Sequence, residues 1–120
     1  MSDLAQANVP ASTITLSAST AKVATGAATA VTGFAAANNL VIQLEVTAVA
    51  GTNPTLDVLV QDTVDGTTYY TIATFAQKTG AATEVIRLAT PFTDKLRASW
   101  TIGGTDTPSF TFSVKAFADA

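Results

Sequence analysis

The sequence contains no cysteine and no histidine. Without cysteine there is no disulfide framework, so the fold must be held together by a buried core or by association. Without either residue type the commonest general base, the thiolate nucleophile and the usual zinc ligands are missing. The carboxylates that remain stand mostly at expected turns or at outward-facing strand positions, where a solvated role is the rule. We therefore predict that the protein is not an enzyme and that it binds no cofactor and no metal.

Charge is scarce as well. Charged residues make up 12% of the chain, about half the usual share for a soluble domain. The net charge is -3 and the basic residues are scattered singly, whereas binding of nucleic acid needs several cations on one face. The longest apolar stretch, residues 40–50, is interrupted by Gln43 and Glu45 and is shorter than the ~20 residues of a membrane helix. The sequence starts without the basic residues of a secretory signal. We expect no nucleic-acid or membrane partner, and synthesis in the cytoplasm.

Apolar residues are abundant, at 48% of the chain, and much of the polar remainder is threonine, which suits a half-exposed strand. From Leu40 onwards apolar and polar side chains alternate, as they do in a strand with one face in the core. The first such core face would hold Ile42, Leu44, Val46 and Ala48. Turn residues at 51–54 and 103–108 separate further alternating segments at a spacing of about ten residues. We predict an all-β, single-domain antiparallel β-sandwich, jelly-roll or Ig-like, with about eight short strands.

The first 38 residues differ from the rest. They are rich in alanine, serine and threonine, and their one aromatic residue is Phe34. Within them STITLS and GAATAVTGF predict two thin strands that form a weak hairpin with little to bury. We expect residues 1–11 to be a flexible N-terminal arm and residues 12–120 to form the domain.

The segment QDTVDGTTYYTIATF, residues 61–75, is typical of a β-hairpin. The dipeptide Asp65-Gly66 predicts a type I′ turn, since both central positions of that turn need positive φ. The residues beside the turn, Tyr69 and Tyr70, are candidate surface or ligand contacts together with Asp65. One of the two adjacent tyrosines should face inward, because neighbouring strand residues point to opposite faces.

Two ligand classes were weighed for this region. Tyr69, Tyr70 and Trp100 could form an aromatic platform for a sugar, but Trp100 shares the phase of core residues, which favours packing in the core. Asp62, Asp65 and Asp106 could supply oxygens to calcium, yet they lack any established calcium-loop spacing, so a structural turn is favoured.

Three segments carry a family resemblance: LVIQLEVTAVAGTNPTLDVLVQDTVDGTTYYTIATF, PFTDKLRASWTIGG and PSFTFSVKAFA. Together they cover most of residues 40–118. They resemble small β-rich virion structural proteins of tailed bacteriophages, most closely capsid decoration (cement) proteins. Where Tyr69 stands, such sequences would be expected to have tryptophan, a departure that leaves the hairpin intact. No catalytic residue is carried over.

The resemblance implies a non-enzymatic decoration protein that binds the outside of a phage capsid and stabilises it. The implied partners are copies of itself, as a homotrimer, and the phage major capsid protein. The implied location is the virion, assembled in the host cytoplasm. Two alternatives stay open: a neck or tail component of the virion, and a carbohydrate-binding module on its surface. In either virion role the arm, residues 1–11, could reach a neighbouring subunit or add a strand to an exposed edge.

Overall fold

A computed structural model of the chain describes residues 12–35, 37–89 and 91–119. These residues form one antiparallel sheet of six strands and contain no helix, so the prediction of an all-β antiparallel fold is confirmed. The strands are β1 (Ser12–Lys22), β2 (Gly26–Ala27), β3 (Asn39–Thr63), β4 (Tyr69–Thr74), β5 (Ala82–Ala89) and β6 (Lys95–Asp119). No helix that could cross a membrane occurs in this part of the chain. The predicted arm, residues 1–11, lies outside it.

Two strands of 25 residues each, β3 and β6, form the backbone of the sheet. They pair antiparallel from Asn39 opposite Asp119 to Thr63 opposite Lys95. The first part of β3 and the last part of β6 are flanked by β5 and β1, and we call this the β1–β5 half. The last part of β3 and the first part of β6 are flanked by β4 and β2, and we call this the β2–β4 half.

The prediction of about eight short strands is not confirmed for the described residues, because β3 and β6 each continue through a segment that the sequence marks as a turn. Pairing persists across residues 51–54 and 103–108, with shifts of register on either side of Thr52. The expected jelly-roll or Ig-like sandwich is not confirmed. What the turn residues produce is a bend in two paired strands.

The bend is visible in the backbone and in the aromatic contacts. Positive φ values occur at Gly51 (104°), Asn53 (48°) and Gly104 (122°), and at Asp106 and Thr107. A Cβ on Gly51 would lie 2.7 Å from the Cα of Pro108, so this close approach of the two strands requires glycine. The rings of Trp100 and Phe112 are 5.4 Å apart between centroids. Twelve residues of straight strand would separate them by about 40 Å, so β6 turns back sharply between them.

The core is a single cluster to which both halves contribute. Its largest fully buried side chains include Phe34, Phe75, Phe110, Phe112, Leu40, Ile42, Leu44, Leu56 and Leu96. The predicted alternation is confirmed for Ile42, Leu44 and Val46, which are at most 3% exposed. Ala48 is exposed instead, because a register shift between Val46 and Ala48 moves it to the other face.

Residues 12–35 are attached to the core more firmly than their composition predicts. The predicted hairpin is wrong: β1 and β2 do not pair with each other, and both pair with β6. Phe34 is fully buried. Beside it the Oδ1 atom of Asp94 accepts hydrogen bonds from the backbone N–H groups of Gly33 (3.1 Å), Phe34 (2.9 Å) and Ala35 (2.9 Å). These N–H groups, that of Gly33 first, hold the pKa of Asp94 below its ordinary value.

Candidate binding surface

The outward face of the β1–β5 half carries a shallow depression across four strands. Strand pairing places Thr13, Phe117, Val41 and Arg87 side by side in one row across β1, β6, β3 and β5. The next row holds Thr15, Lys115, Gln43 and Val85. We call the surface formed by Val41, Val85, Arg87, Lys115 and Phe117 the outer trough.

Two adjoining cavities occupy the outer trough. One of about 440 Å³ extends towards the end of the sheet, where Asn39, Ala89 and Asp119 lie. The other, of about 270 Å³, extends towards Gln43 and Lys115. Both are lined by Val41, Arg87 and Phe117, so they form one continuous concave surface.

Apolar side chains form the floor of the outer trough although it faces solvent. Phe117 is 40% exposed and Val85 is 41% exposed. Because the strands hold these side chains in fixed positions, the surface loses little conformational freedom when it is covered by a partner. Neither residue is among the contacts predicted from the sequence. The signal was present: Val41, Val85 and Phe117 are apolar residues at positions where the alternation calls for polar ones.

The charges of the outer trough are opposite to those of the chain as a whole. Among the side chains that line the two cavities are two cations, Arg87 and Lys115, and one carboxylate, Asp119. Neither cation forms an ion pair or a hydrogen bond with a residue that the structure describes. The lining is thus net positive in a chain of net charge -3. Such a surface can bind an apolar group that carries a carboxylate beside it.

The predicted contact residues Asp65, Tyr69 and Tyr70 do not line the outer trough. They belong to the β2–β4 half, at the β3–β4 loop (residues 64–68) and the start of β4. The prediction of a type I′ turn is wrong. Only one of the two central residues, Gly66, has a positive φ, which is 85°. The loop has five residues between the paired Thr63 and Tyr69.

The side chain of Asp65 stabilises the β3–β4 loop by hydrogen bonds to the backbone of the loop. Its Oδ1 atom accepts hydrogen bonds from the backbone N–H groups of Thr68 (2.8 Å) and Thr67 (2.9 Å), which lower its pKa to about 2. The hydroxyl oxygen of Thr63 accepts the N–H of Gly66 at 2.9 Å. These bonds satisfy the turn locally, which explains why a five-residue loop replaces the two-residue turn.

The three aromatic candidates for a sugar platform are not brought together. Trp100 is 9% exposed, and its Nε1 donates to the carbonyl oxygen of Ala24 at 3.0 Å, so its predicted place in the core is confirmed. The guanidinium carbon of Arg97 lies 3.7 Å from the ring centroid of Tyr69 and covers one face of that ring. Tyr70 is 61% exposed. Tyr69 is half-buried and neither tyrosine belongs to the buried core, so the expectation that one faces inward is not confirmed. A bulge between Val60 and Gln61 changes the register of β4.

The acidic residues considered as calcium ligands accept separate hydrogen bonds. Asp62 accepts the backbone N–H of Thr93 at 3.1 Å, and Asp106 accepts the hydroxyl of Thr52 at the bend. In residues 12–35, 37–89 and 91–119 no three acidic side chains lie close enough together to hold a metal ion.

Lys22 is a further feature that the sequence did not reveal. Its Nζ lies 4.2 Å from the ring centroid of Phe112 and 5.2 Å from that of Trp100. It donates to the Thr20 hydroxyl (3.0 Å) and to the Ala18 carbonyl (3.2 Å). Burial lowers its pKa. Because its N–H groups are hydrogen-bonded within the chain, this ammonium group has a structural role and covers the edge of the core where β1 meets β6.

No known protein family and no curated protein matches the sequence of this chain.

Proposed function

We propose that the protein is a non-enzymatic structural protein of a bacteriophage virion, a capsid decoration protein that binds the outside of the shell and stabilises it. The outer trough carries this proposal. Val85 and Phe117 expose apolar surface beside two cations that have no partner among the described residues, and apolar patches rimmed by polar or charged groups are typical of protein contact sites. The resemblance of three segments to decoration proteins supplies the biological setting.

The composition supports an assembly role. Only 12% of the residues are charged, so few charged groups need to lose water when the surface is covered. An interface of this kind relies on apolar contact at its centre and on a few charges for orientation. A carbohydrate-binding role is less well supported, because Arg97 occupies one face of Tyr69.

We also propose that the two halves of the bent sheet face each other as the layers of a sandwich. The contact between Trp100 and Phe112, from opposite sides of the bend, supports this arrangement, as does the single core. Spin labels at Gln43 and Thr101, exposed in opposite halves, test it. Labels on packed layers would be about 20–30 Å apart. In an unbent sheet the separation would be about 45 Å, which would refute the sandwich.

Reconstitution tests the function. Purified protein is mixed with expanded shells that are assembled from the phage major capsid protein and lack any decoration. We expect saturable co-sedimentation with the shells and a higher shell melting temperature, because a ligand of the folded assembly stabilises it. Absence of binding at saturating protein would overturn the proposal. Binding without a change in melting temperature would remove the stabilising role.

A further inference from the structure

The β3–β4 loop and the start of β4 carry two further exposed apolar side chains. Val64, its first residue, is 85% exposed, and Tyr70 on the adjoining strand is 61% exposed. The loop is ordered by the hydrogen bonds of Asp65 and Thr63, so its shape is set before any partner arrives. Large apolar side chains at least 40% exposed are few among the described residues. Apart from Val23, they lie here or in the outer trough.

The charges of these two surfaces are complementary. The loop carries one charged residue, Asp65, whose side chain is exposed and has its Oδ1 atom bonded within the loop. The outer trough offers the cations Arg87 and Lys115, unpaired within the described part of the chain, beside its apolar floor. An apolar projection with an anion therefore matches an apolar depression with cations, the combination that orients and selects a partner.

We propose that the β3–β4 loop of one copy of this chain docks in the outer trough of a second copy. Val64 and Tyr70 would contact Val85 and Phe117, and the carboxylate of Asp65 would lie towards Arg87. The inference rests on the proposed function in taking the outer trough as a docking site, and it names the occupant.

The two surfaces belong to different halves of the sheet, so the contact is heterologous. In one such contact, the copy that donates its loop still has a free outer trough. The copy that receives the loop still has a free loop of its own. Repetition of such a contact closes into a ring when the rotation between copies is a simple fraction of a turn. The smallest closed assembly is a twofold dimer in which each loop occupies the outer trough of the other copy, and smaller rotations between copies give larger rings.

Sedimentation analysis of the purified chain tests the inference. The wild type should associate reversibly up to a closed ring. Val64→Glu on the loop and Val85→Glu in the outer trough should each raise the dissociation constant about tenfold or more, because each places a charge in the apolar centre of the contact. Val23→Glu is the matched control, since Val23 is 63% exposed and lies in neither surface. It should associate like the wild type, and circular dichroism should show all three variants folded.

Mixing the two defective variants gives the decisive result. Val64→Glu retains an intact outer trough and Val85→Glu retains an intact loop, so a mixture should form a one-to-one heterodimer that neither variant forms alone. A mixture that stays monomeric would overturn the inference, as would a monomeric wild type or a loss of association in Val23→Glu.

The shell experiment separates this inference from the proposed function. If the wild type is monomeric yet binds shells, and Val85→Glu no longer binds them, the capsid protein occupies the outer trough. The decoration role would then stand and the self-association inference would fall.

Discussion

Replacement of Phe34 by alanine should be among the most destabilising single changes in the chain. The ring is fully buried, although the segment around it is rich in small residues. Removing a buried phenylalanine side chain costs about 3–5 kcal/mol, the sum of lost transfer energy and the cavity left behind. That is a large part of the ~5–15 kcal/mol that stabilises a domain. At about 4 °C per kcal/mol for a chain of this size, the melting temperature should fall by about 12–20 °C.

Thermal and urea unfolding can be followed by the fluorescence of Trp100, the single tryptophan, which lies in the core. The control is Phe117→Ala, which removes the same ring from a site that is 40% exposed and should cost no more than about 1.5 kcal/mol. Both variants are measured at two protein concentrations, so that self-association appears as a concentration dependence. If Phe34→Ala lowered the melting temperature by less than about 4 °C, or by the same amount as Phe117→Ala, the segment around Phe34 would not belong to the core.

Three further predictions concern the bend, the loop and the edge of the core. Gly51→Ala should lose more than about 1 kcal/mol because its φ is positive and Pro108 leaves no room, whereas Gly80→Ala, in open space, should be nearly neutral in urea unfolding. The fold lowers the pKa of Asp65, so the stabilisation of the fold by its ionised carboxylate is present above pH 3.8 and is lost as the pH falls towards 2. Asp65→Asn should show a flatter dependence of stability on pH in that window. Burial lowers the pKa of Lys22, so the unfolded chain holds the ammonium proton of Lys22 to higher pH than the folded chain does. Stability should therefore rise as the pH approaches 10.5, and Lys22→Met should lack this rise.

The alternation of side chains predicts the core faces well because burial of one strand face is a local pattern. Ile42, Leu44 and Val46 follow it, and so does Trp100. The pattern fails where one extra residue enters a strand, since a slip of one position exchanges the two faces. That is why Ala48 turns outward and why neither tyrosine of β4 is fully buried. Such bulges depend on the pairing partner, and residue types alone do not specify them.

The bend shows a second limit on predicting the fold from the sequence. Glycine and proline at residues 51–54 indicate a change of direction, and the change occurs, but pairing with β6 carries the strand through it. Phe34 shows a third limit, because its segment donates three backbone hydrogen bonds to Asp94, a residue about sixty positions along the chain.

The outer trough was only partly accessible to prediction. Val41, Val85 and Phe117 interrupt the alternation, so a search for apolar residues on the solvent face would have found its floor. The position of Arg87 beside Val41 requires the register between β5 and β3. The candidate contacts Asp65 and Tyr70 came from turn chemistry, and their exposure supports a surface role for the loop.

The pairing of β3 with β6 also governs how the chain must acquire its structure. Asn39 finds its partner at Asp119, so the central ladder forms only after the ribosome has made almost all of these residues. Contacts between positions so distant are slow to form, and chains dominated by them fold in milliseconds to seconds. Until then β3 has an unmatched edge along its whole length, open to neighbouring nascent chains. Expression at lower temperature or slower induction should therefore increase the recovered soluble yield.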